Sequence, residues 1–436
     1  MRARAVLLPA AIAVTVAAMS APAAQAADEH DPLRPGSKAW RLGHETLPPN
    51  DGWASANGGT TGGSGAPREN IHVVTDRDGL AAALAAPGPR IIYVKGVIDT
   101  GKTCADYVRN GYSLEAYLAA YDPEVWGRDR EPSGPLEEAR AASAAAQAAD
   151  IVLRVPSDTT IVGLPGAVIR HLNLRVDQAR NVIIRNIRFE DAADCFPQWD
   201  PTDGPEGNWN SAYDSISVTR STNVWIDHNT FTDGDNPDSA QPHYFGRPYQ
   251  VHDGQLDITN GSDLVTVSWN VFADHDKTML IGSTDNPAND AGKLNVTVHH
   301  NRFTNTLQRL PRVRFGKVHV YNNSYEIPDP GTFVYALGVG VQSQIYAERN
   351  HFHLGKGVNP ATLLHDWGGT ALTARENVAR IDGRLQPIDL IGVYNAANDP
   401  DLGTDAGWTP TRYTKIDPAP SVAAKVAAHA GAGRLL

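Results

Sequence analysis

One short pattern recurs six times between residues 181 and 352: an alternating apolar segment, then polar residues that usually include Asn, and then an aromatic residue. The six copies are Asn181–Phe189, Asn223–Phe231, Leu264–Phe272, Asn295–Phe303, Lys317–Tyr325 and Gln344–Phe352. Alternation at every second residue is typical of a β-strand with one buried face. Successive aromatic residues are 22 to 42 residues apart, so the unit is short and accepts insertions of variable length.

A repeating strand unit with variable insertions predicts an all-β fold, a parallel β-helix. Each coil buries its apolar face by stacking on the next coil, and the insertions leave as loops on one side. The recurrent Asn is either a turn residue in the left-handed conformation or part of a ladder of side-chain amides between coils. An antiparallel sandwich is the alternative, but hairpin turns are not evenly placed between the copies.

The flanking sequence predicts the ends of this stack. Ile91–Ile98 and Thr159–Val162 are read as earlier strands of the same stack, and Leu80–Leu84 as a short helix over its open N-terminal end. Such a cover is needed because a terminal coil exposes apolar surface and strand edges. The Ala-rich segments Leu136–Ala149 and Ser421–His429 are also predicted to be helical.

The N-terminus has the organisation of a secretory signal peptide over residues 1–26. Basic residues come first, an apolar run covers Ala5–Met19, and Ala24-Gln-Ala26 offers a small-residue cleavage site. The run is shorter than the roughly 20 apolar residues that span a membrane. We therefore expect one exported domain over residues 27–436, with no membrane anchor.

The two cysteines of the chain are Cys104 and Cys195. In an oxidising compartment they are expected to form one disulfide. Two buried free thiols are the alternative, and the spacing fits no metal site. Cys104 belongs to a long insertion, 103–149, which either shapes a groove or only covers the β-helix.

Positive charge is concentrated in one place in a chain whose formal net charge is −11. The run Arg309-Leu-Pro-Arg-Val-Arg314 follows the fourth copy, and Lys277 lies just after the third. The acidic balance argues against nucleic acid or any general polyanion as a partner. Arg312 and Arg314 share one face of a strand, and arginine suits bidentate binding of carboxylates. A surface network of ion pairs is the alternative.

Three acidic residues in the same region, Asp214, Asp253 and Asp257, are a candidate metal site. Ca²⁺ takes several oxygen ligands at about 2.3–2.6 Å, whereas four extended residues span about 13 Å. The backbone between Asp253 and Asp257 must therefore bend, which Gly254 permits. Coils stack about 4.8 Å apart, so Asp214 could complete the cluster from a neighbouring coil. Three solvated carboxylates are the alternative.

Several motifs, in one order along the chain, resemble the pectate lyase superfamily, polysaccharide lyase family 1. The resemblance extends from about Asp51 to the C-terminus. The motifs are Val224–His228 (VWIDH), Gly261–Lys277, Arg309–Arg314, Trp199–Gly204, Trp209–Ser211 and Gly407–Pro410. This resemblance implies a right-handed, single-stranded parallel β-helix with a substrate groove formed by loops on one side. It also implies a secreted, calcium-dependent bacterial enzyme that cleaves α-1,4-linked polygalacturonate.

The resemblance assigns roles to the candidate residues. Asp214, Asp253 and Asp257 match the calcium ligands, and Arg309 matches the proposed base. Lys277 and Arg314 match residues that hold substrate carboxylates, and we expect Arg312 to bind substrate with them. Ala212 stands where many relatives have an acid, which puts one calcium ligand in doubt. Of the signature residues, Trp225 is expected to have a packing role. His228 is expected to be a supporting hydrogen-bonding residue and not the base.

The expected reaction is β-elimination. The C5 proton of a galacturonate is weakly acidic, and a cation on the adjacent carboxylate stabilises the charge that develops when a base removes this proton. The C4–O4 bond then breaks and leaves a 4,5-unsaturated sugar. Because a guanidinium normally keeps its proton, Arg309 as base predicts an alkaline optimum.

Three other functions are alternatives to a calcium-dependent pectate lyase. Pectin lyases act on methyl-esterified polymer and lack the acidic calcium set. A glycoside hydrolase on the same scaffold would need a carboxylate pair, for which Asp227 and Asp233 are available. A β-helical adhesin would not need the clustered cations facing acids. The sequence favours a monomer, since nothing in it points to an oligomer.

Overall fold

The chain coils through three sheets of parallel strands, and a typical coil adds one strand to each; among the described residues of these three sheets, only the last strand of one sheet, Arg384–Pro387, pairs antiparallel. The computed structural model describes residues 30–436, so the predicted signal peptide lies outside the described residues. The coil is right-handed, the usual hand for connections between parallel strands. The predicted all-β parallel β-helix is confirmed.

The three sheets are named here sheet 1, sheet 2 and sheet 3, in the order in which the first strand of each begins along the chain. The strands of sheet 1 are Ile71–Val74, Arg90–Val94, Thr159–Gly163, Arg180–Arg185, Thr222–Asp227, Asp263–Ser268, Val296–His299, Lys317–Tyr321, Gln344–Glu348 and Leu372–Arg375. Those of sheet 2 are Val97–Ile98, Val168–Arg170, Arg188–Glu190, Thr230–Thr232, Val271–Lys277, Arg302–Gln308, Ser324–Ile327, His351–Leu354, Val378–Ile381 and Arg384–Pro387. Those of sheet 3 are Val152–Arg154, Asn173–Asp177, Ile216–Thr219, Leu256–Thr259, Leu280–Ile281, Arg312–Val313, Leu337–Gly340 and Leu364–Trp367. Two small antiparallel pairs lie in the loops: Gln198–Asp200 with Asn208–Asn210, and His243–Tyr244 with Arg247–Pro248.

Each copy of the repeat turns one corner of the coil, from a strand of sheet 1 to a strand of sheet 2. The corner residue adopts a left-handed φ; in the six copies these residues are Asn186, His228, Trp269, His300, Asn322 and Arg349. The aromatic residue that follows points inward and stacks on its equivalents, with ring centroids 4.6 to 5.1 Å apart. The repeat therefore encodes a corner and a continuous aromatic stack in the core.

The recurrent Asn forms a ladder of side-chain amides. Neighbouring members are joined by Nδ2–H···Oδ1 bonds of 3.0 to 3.2 Å, and the members are Asn229, Asn270, Asn301, Asn323, Asn350 and Asn377. Of the two roles considered for this Asn, the ladder is the right one for these positions. In the first copy, Asn186 is one residue earlier and bonds to the Gly163 carbonyl oxygen instead.

Helices cover the ends and sides of the β-helix. Arg77–Ala85 contacts the first strands and includes the predicted cap, and the side chain of Asp76 accepts a hydrogen bond from Gly79 N–H at its start. The other α-helices of the described residues are Lys38–His44, Cys104–Tyr107, Leu114–Tyr121, Pro123–Trp126, Pro135–Ile151, Pro287–Asp290, Leu390–Asn395 and Ala419–His429. Short 3₁₀ turns cover Trp53–Ser55, Arg68–Asn70, Asp238–Ala240 and Pro360–Leu363. Within residues 30–436, no helix has the length and apolarity to cross a membrane.

Long loops leave the coil between sheet 2 and sheet 3, and the insertion 103–149 lies among them. Its tyrosines pack with Trp199 and Trp209 of the loop that precedes Asp214. A disulfide joins Cys104 to Cys195, and the Tyr213 hydroxyl donates to the Ala144 carbonyl oxygen over 3.2 Å. The insertion therefore supports the loop that leads into the candidate site.

Candidate active site

Sheet 3 forms the floor of a groove, because every second side chain of its strands points outward. Strand pairing puts one row of outward residues in register: Arg175, Ser217, Asp257, Leu280 and Arg312. The alternate residues, such as Ile216 and Val313, are buried in the core. The row runs along the helix axis, so the floor follows the direction in which coils stack.

The three predicted metal ligands converge on this floor. Asp214, Asp253 and Asp257 each offer one carboxylate oxygen, and these oxygens lie within 4.8 Å of one another. Asp257 lies on strand Leu256–Thr259, and Asp214 precedes the neighbouring strand. The Asp257 carboxylate accepts a hydrogen bond of 2.9 Å from Leu280 N–H. Paired strands thus bring residues 43 positions apart to one place.

Gly254 makes room for this convergence. A Cβ added there would lie 2.4 Å from Asp257 Oδ1 and 2.9 Å from Asp214 Oδ1. The sequence suggested that Gly254 would permit a bend, but Gly254 is not among the glycines with a left-handed φ. Its contribution is empty space beside the carboxylates. Its N–H also donates to Asp214 Oδ1 over 3.0 Å.

The carboxylates repel one another in a buried place. Burial, followed by the charge of Asp253, raises the pKa of Asp214 to about 7. Burial and the charges of Asp214 and Asp253 raise the pKa of Asp257 well above its usual range, and the Arg309 guanidinium opposes that rise. An oxygen-only set of crowded carboxylates is the donor set that a hard divalent cation such as Ca²⁺ prefers. The residues present therefore fit calcium.

The cationic residues predicted from the sequence lie on segments next to the carboxylates. Lys277 Nζ lies 4.0 Å from Asp253 Oδ1, and Arg314 bonds to Asp285 Oδ1 over 2.6 Å and to the Gly282 carbonyl oxygen over 2.9 Å. The Arg309 carbonyl oxygen accepts a hydrogen bond of 2.8 Å from Met279 N–H. The next residue, Leu280, donates its N–H to the Asp257 carboxylate.

Arg309 and Arg312 have unused hydrogen-bonding capacity. The Nε atom of each is buried and has no hydrogen-bond partner among the described residues. The Arg312 guanidinium lies 4.0 Å from the centre of the Trp367 ring, and burial, then Arg314, lowers the pKa of Arg312 to about 10. Buried donors without partners are rare in folded proteins, so both arginines are suited to receive a ligand.

Sequence analysis did not identify two residues that form hydrogen bonds to the predicted metal ligands, His275 and Ser217. His275 is buried, with Nδ1 at 2.7 Å from Asp233 Oδ1 and Nε2 at 2.9 Å from the carbonyl oxygen of Asp253. Because both partners are acceptors, the imidazole donates from both nitrogens and is a cation. Ser217, which donates to Asp214 Oδ2, was also missed. The available signal was the position of His275, two residues before Lys277 in one strand.

The other residues singled out from the sequence have structural partners. Asp227 is buried against Arg185 at 2.7 Å and Asp233 is buried against His275, so they do not form an open carboxylate pair for hydrolysis. Trp225 is buried and donates to Ser268 Oγ. His228 Nδ1 lies 2.8 Å from Asp227 Oδ2.

At the position of the missing acid, Ala212 contributes a backbone contact. Its N–H donates to Asp194 Oδ2 over 3.1 Å, and Asp194 Oδ1 accepts from Phe196 N–H. Both oxygens of Asp194 are therefore engaged by the backbone. The metal-ligand group found in residues 30–436 consists of the three predicted aspartates.

Comparisons with known proteins agree on one family. A family model described as pectate lyase matches residues 134–379. The pectate lyase of Bacillus subtilis (strain 168) is 45% identical over 415 residues, which cover 92% of this chain and 96% of that protein. Pectate lyase A of Dickeya chrysanthemi is 35% identical over 317 residues, 70% of each chain.

Solved structures agree with these sequence relatives. A thermostable pectate lyase is 46% identical, with a TM-score of 0.88 and coverage of 91% of this chain and 100% of that one. A pectate lyase solved with a bound hexasaccharide is 45% identical, with a TM-score of 0.85 and the same coverage. The predicted membership is confirmed: the chain belongs to the pectate lyase family of polysaccharide lyases.

Proposed function

We propose that this protein cleaves polygalacturonate by calcium-dependent β-elimination. Asp214, Asp253 and Asp257 would hold the calcium, which when bound supplies positive charge to a substrate carboxylate. The observation that carries the proposal is the placement of three crowded carboxylates beside Arg309, whose buried Nε has no partner among the described residues. An acidic polymer alone would be repelled by the carboxylates, so a cation between the two explains the arrangement.

In the proposed reaction Arg309 removes the C5 proton of a galacturonate. The electron pair forms the C4–C5 double bond, the C4–O4 bond breaks, and the departing O4 takes a proton. Lys277, Arg312 and Arg314 would bind substrate carboxylates and share the charge that develops at C5. Arg314 is already ordered by Asp285 and the Gly282 carbonyl oxygen, so it loses little side-chain freedom when it binds substrate.

The proposed cellular location is outside the cell, because the substrate is a polymer too large to enter it and the N-terminal sequence has the pattern of a signal peptide. We propose that the enzyme acts as a monomer, since the predicted catalytic and metal-binding residues all lie on one chain. The family membership supports polygalacturonate as the substrate, and so does the 45% identical pectate lyase that was solved bound to a hexasaccharide.

Ultraviolet absorbance of the unsaturated product tests the function directly. We expect absorbance to rise with polygalacturonate and Ca²⁺, to stop when a chelator is added, and to increase from pH 7 to pH 9. Arg309→Lys should lower the rate by at least about a hundredfold, the usual scale of general-base catalysis. Arg302→Lys is the matched control. Arg302 lies on the strand that precedes Arg309, and its side chain pairs with Glu326. New reducing ends without absorbance would mean hydrolysis and would refute the proposal.

A further inference from the structure

Arg175 is a groove arginine that none of the roles above includes. It lies on strand Asn173–Asp177 of sheet 3, and its Cα pairs with Ser217, which pairs with Asp257. Its side chain is half-buried on the outward face. It lines the same groove of about 660 Å³ as Asp214 and Asp257. Arg175 thus lies on the floor that holds the carboxylates, toward the N-terminal coils.

The neighbouring arginines have carboxylate partners, whereas Arg175 has no bonded partner among the described residues and has a longer-range charge interaction with Asp214. Arg154 Nη1 bonds to Asp177 Oδ2 over 2.9 Å, and Arg220 Nη2 bonds to the same oxygen over 2.7 Å. Within residues 30–436, Arg175 forms neither a hydrogen bond nor an ion pair through its guanidinium. A partly desolvated guanidinium with all its donors unused is suited to a planar anion, and carboxylates match its geometry.

The register places Arg175 and Arg312 symmetrically about the carboxylates. Arg175 is two strands before Asp257 in the outward row, and Arg312 is two strands after it. Each step between parallel strands is about 4.8 Å, so each arginine lies about 10 Å from the centre of the site. A polymer that follows the groove passes both arginines and brings carboxylates to each.

We propose that Arg175 binds a galacturonate carboxylate in a subsite on the side of the calcium site opposite Arg309, Arg312 and Arg314. This inference rests on the proposed function, because it assumes an acidic polysaccharide in the groove. It adds that the enzyme binds the chain on both sides of the calcium site. Long substrates therefore gain a contact that the shortest substrates cannot reach.

The experiment compares wild type, Arg175→Gln and Arg154→Gln on oligogalacturonates of increasing length at saturating Ca²⁺. For Arg175→Gln we expect KM to rise about tenfold on long oligomers, the scale of one hydrogen bond to a charged group, with kcat nearly unchanged. The shortest cleaved oligomer should show no change, and the product lengths from long oligomers should shift. Arg154→Gln is the matched control, because Arg154 is the register neighbour of Arg175 and its partner Asp177 keeps Arg220.

Two results would overturn the inference. Equal KM values for Arg175→Gln and wild type at every length would show that the guanidinium does not contact substrate. A change in Ca²⁺ affinity measured without substrate, with no dependence on oligomer length, would show that Arg175 only balances the charge of Asp214. If wild type makes no unsaturated product, the proposed function fails, and calorimetric titration of wild type and Arg175→Gln with a long oligogalacturonate still decides whether Arg175 binds it.

Discussion

Gly254 lies directly beside Asp257: a Cβ on residue 254 would be 2.4 Å from Asp257 Oδ1. The same Cβ would be 2.9 Å from Asp214 Oδ1. Two carboxylates, one from a strand and one from the segment before the neighbouring strand, therefore meet over a position that has no side chain. This absence, rather than unusual backbone geometry, allows the predicted calcium ligands to come together.

Gly254→Ala should weaken calcium binding by at least about tenfold, which corresponds to about 1.4 kcal/mol. The new methyl group must displace one of two carboxylates that are held by backbone N–H groups. Isothermal titration calorimetry with Ca²⁺ measures the effect. Gly65→Ala is the control, since a Cβ there meets nothing within 4 Å. Equal calcium affinities for Gly254→Ala and wild type would show that Asp214 and Asp257 do not bind the same ion.

His275→Gln should lower the free energy of unfolding by about 3–5 kcal/mol, the usual result of removing one partner from a buried ion pair. It leaves the Asp233 carboxylate buried without its cation and removes a donor to the Asp253 carbonyl oxygen. Urea unfolding at pH 7 measures the loss. His353→Gln, at an exposed position three strands further along sheet 2, is the control. A loss of less than about 1 kcal/mol would contradict the assignment of His275 as a buried cation.

The disulfide between Cys104 and Cys195 joins residues 91 positions apart. Replacing both cysteines by serine should destabilise the protein by about 2–5 kcal/mol, because the closed loop restricts the unfolded chain. Urea unfolding of wild type with and without reductant should reproduce the difference, and the double variant should not respond to reductant. Detection of two free thiols in denatured, unreduced wild type would contradict this pairing.

The fold could be predicted from the sequence because the repeat contains the residues that make one coil stack on the next. Apolar alternation and the stacked aromatic residue appear at fixed positions in all six copies of the repeat, and the ladder Asn in the last five, so periodicity predicts a parallel β-helix. Asn186 shows the limit of this reasoning, since it is an Asn of the repeat but occupies the corner position, level with His228, and not the ladder position of Asn229. A sequence position does not reveal which of two adjacent residues joins the ladder.

The site was less predictable because it depends on contacts between distant segments. The three aspartates could be proposed from their number and spacing, and the structure brings them together. The role of His275 was hard to predict, because its partner Asp233 is 42 residues away and on another coil, and only its position two residues before Lys277 pointed to the site. The role of Arg175 could not be predicted from the sequence, because an arginine without a bonded partner is recognised only when the partners of the neighbouring arginines are known.

We expect His300 to make the folded protein less stable in mild acid. Its Nε2 lies 3.1 Å from Asp417 Oδ2, but Lys425 already supplies positive charge to that carboxylate. Burial, followed by the charge of His299, lowers the pKa of His300 to about 3. In the unfolded chain histidine titrates near 6.5. The unfolded state therefore takes up a proton below pH 6.5 while the folded state does not, and stability is lost as pH falls from 6.5 toward 3.

Between pH 7 and pH 5 this difference amounts to about 2 kcal/mol of unfolding free energy. His300→Gln should unfold in urea with a smaller loss of stability over this pH range than wild type, because an amide does not titrate. His353→Gln, which changes an exposed histidine, should keep the wild-type dependence. Parallel pH profiles for wild type and His300→Gln would mean that the folded state protonates His300 as easily as the unfolded chain, and that Asp417 rather than burial controls its charge.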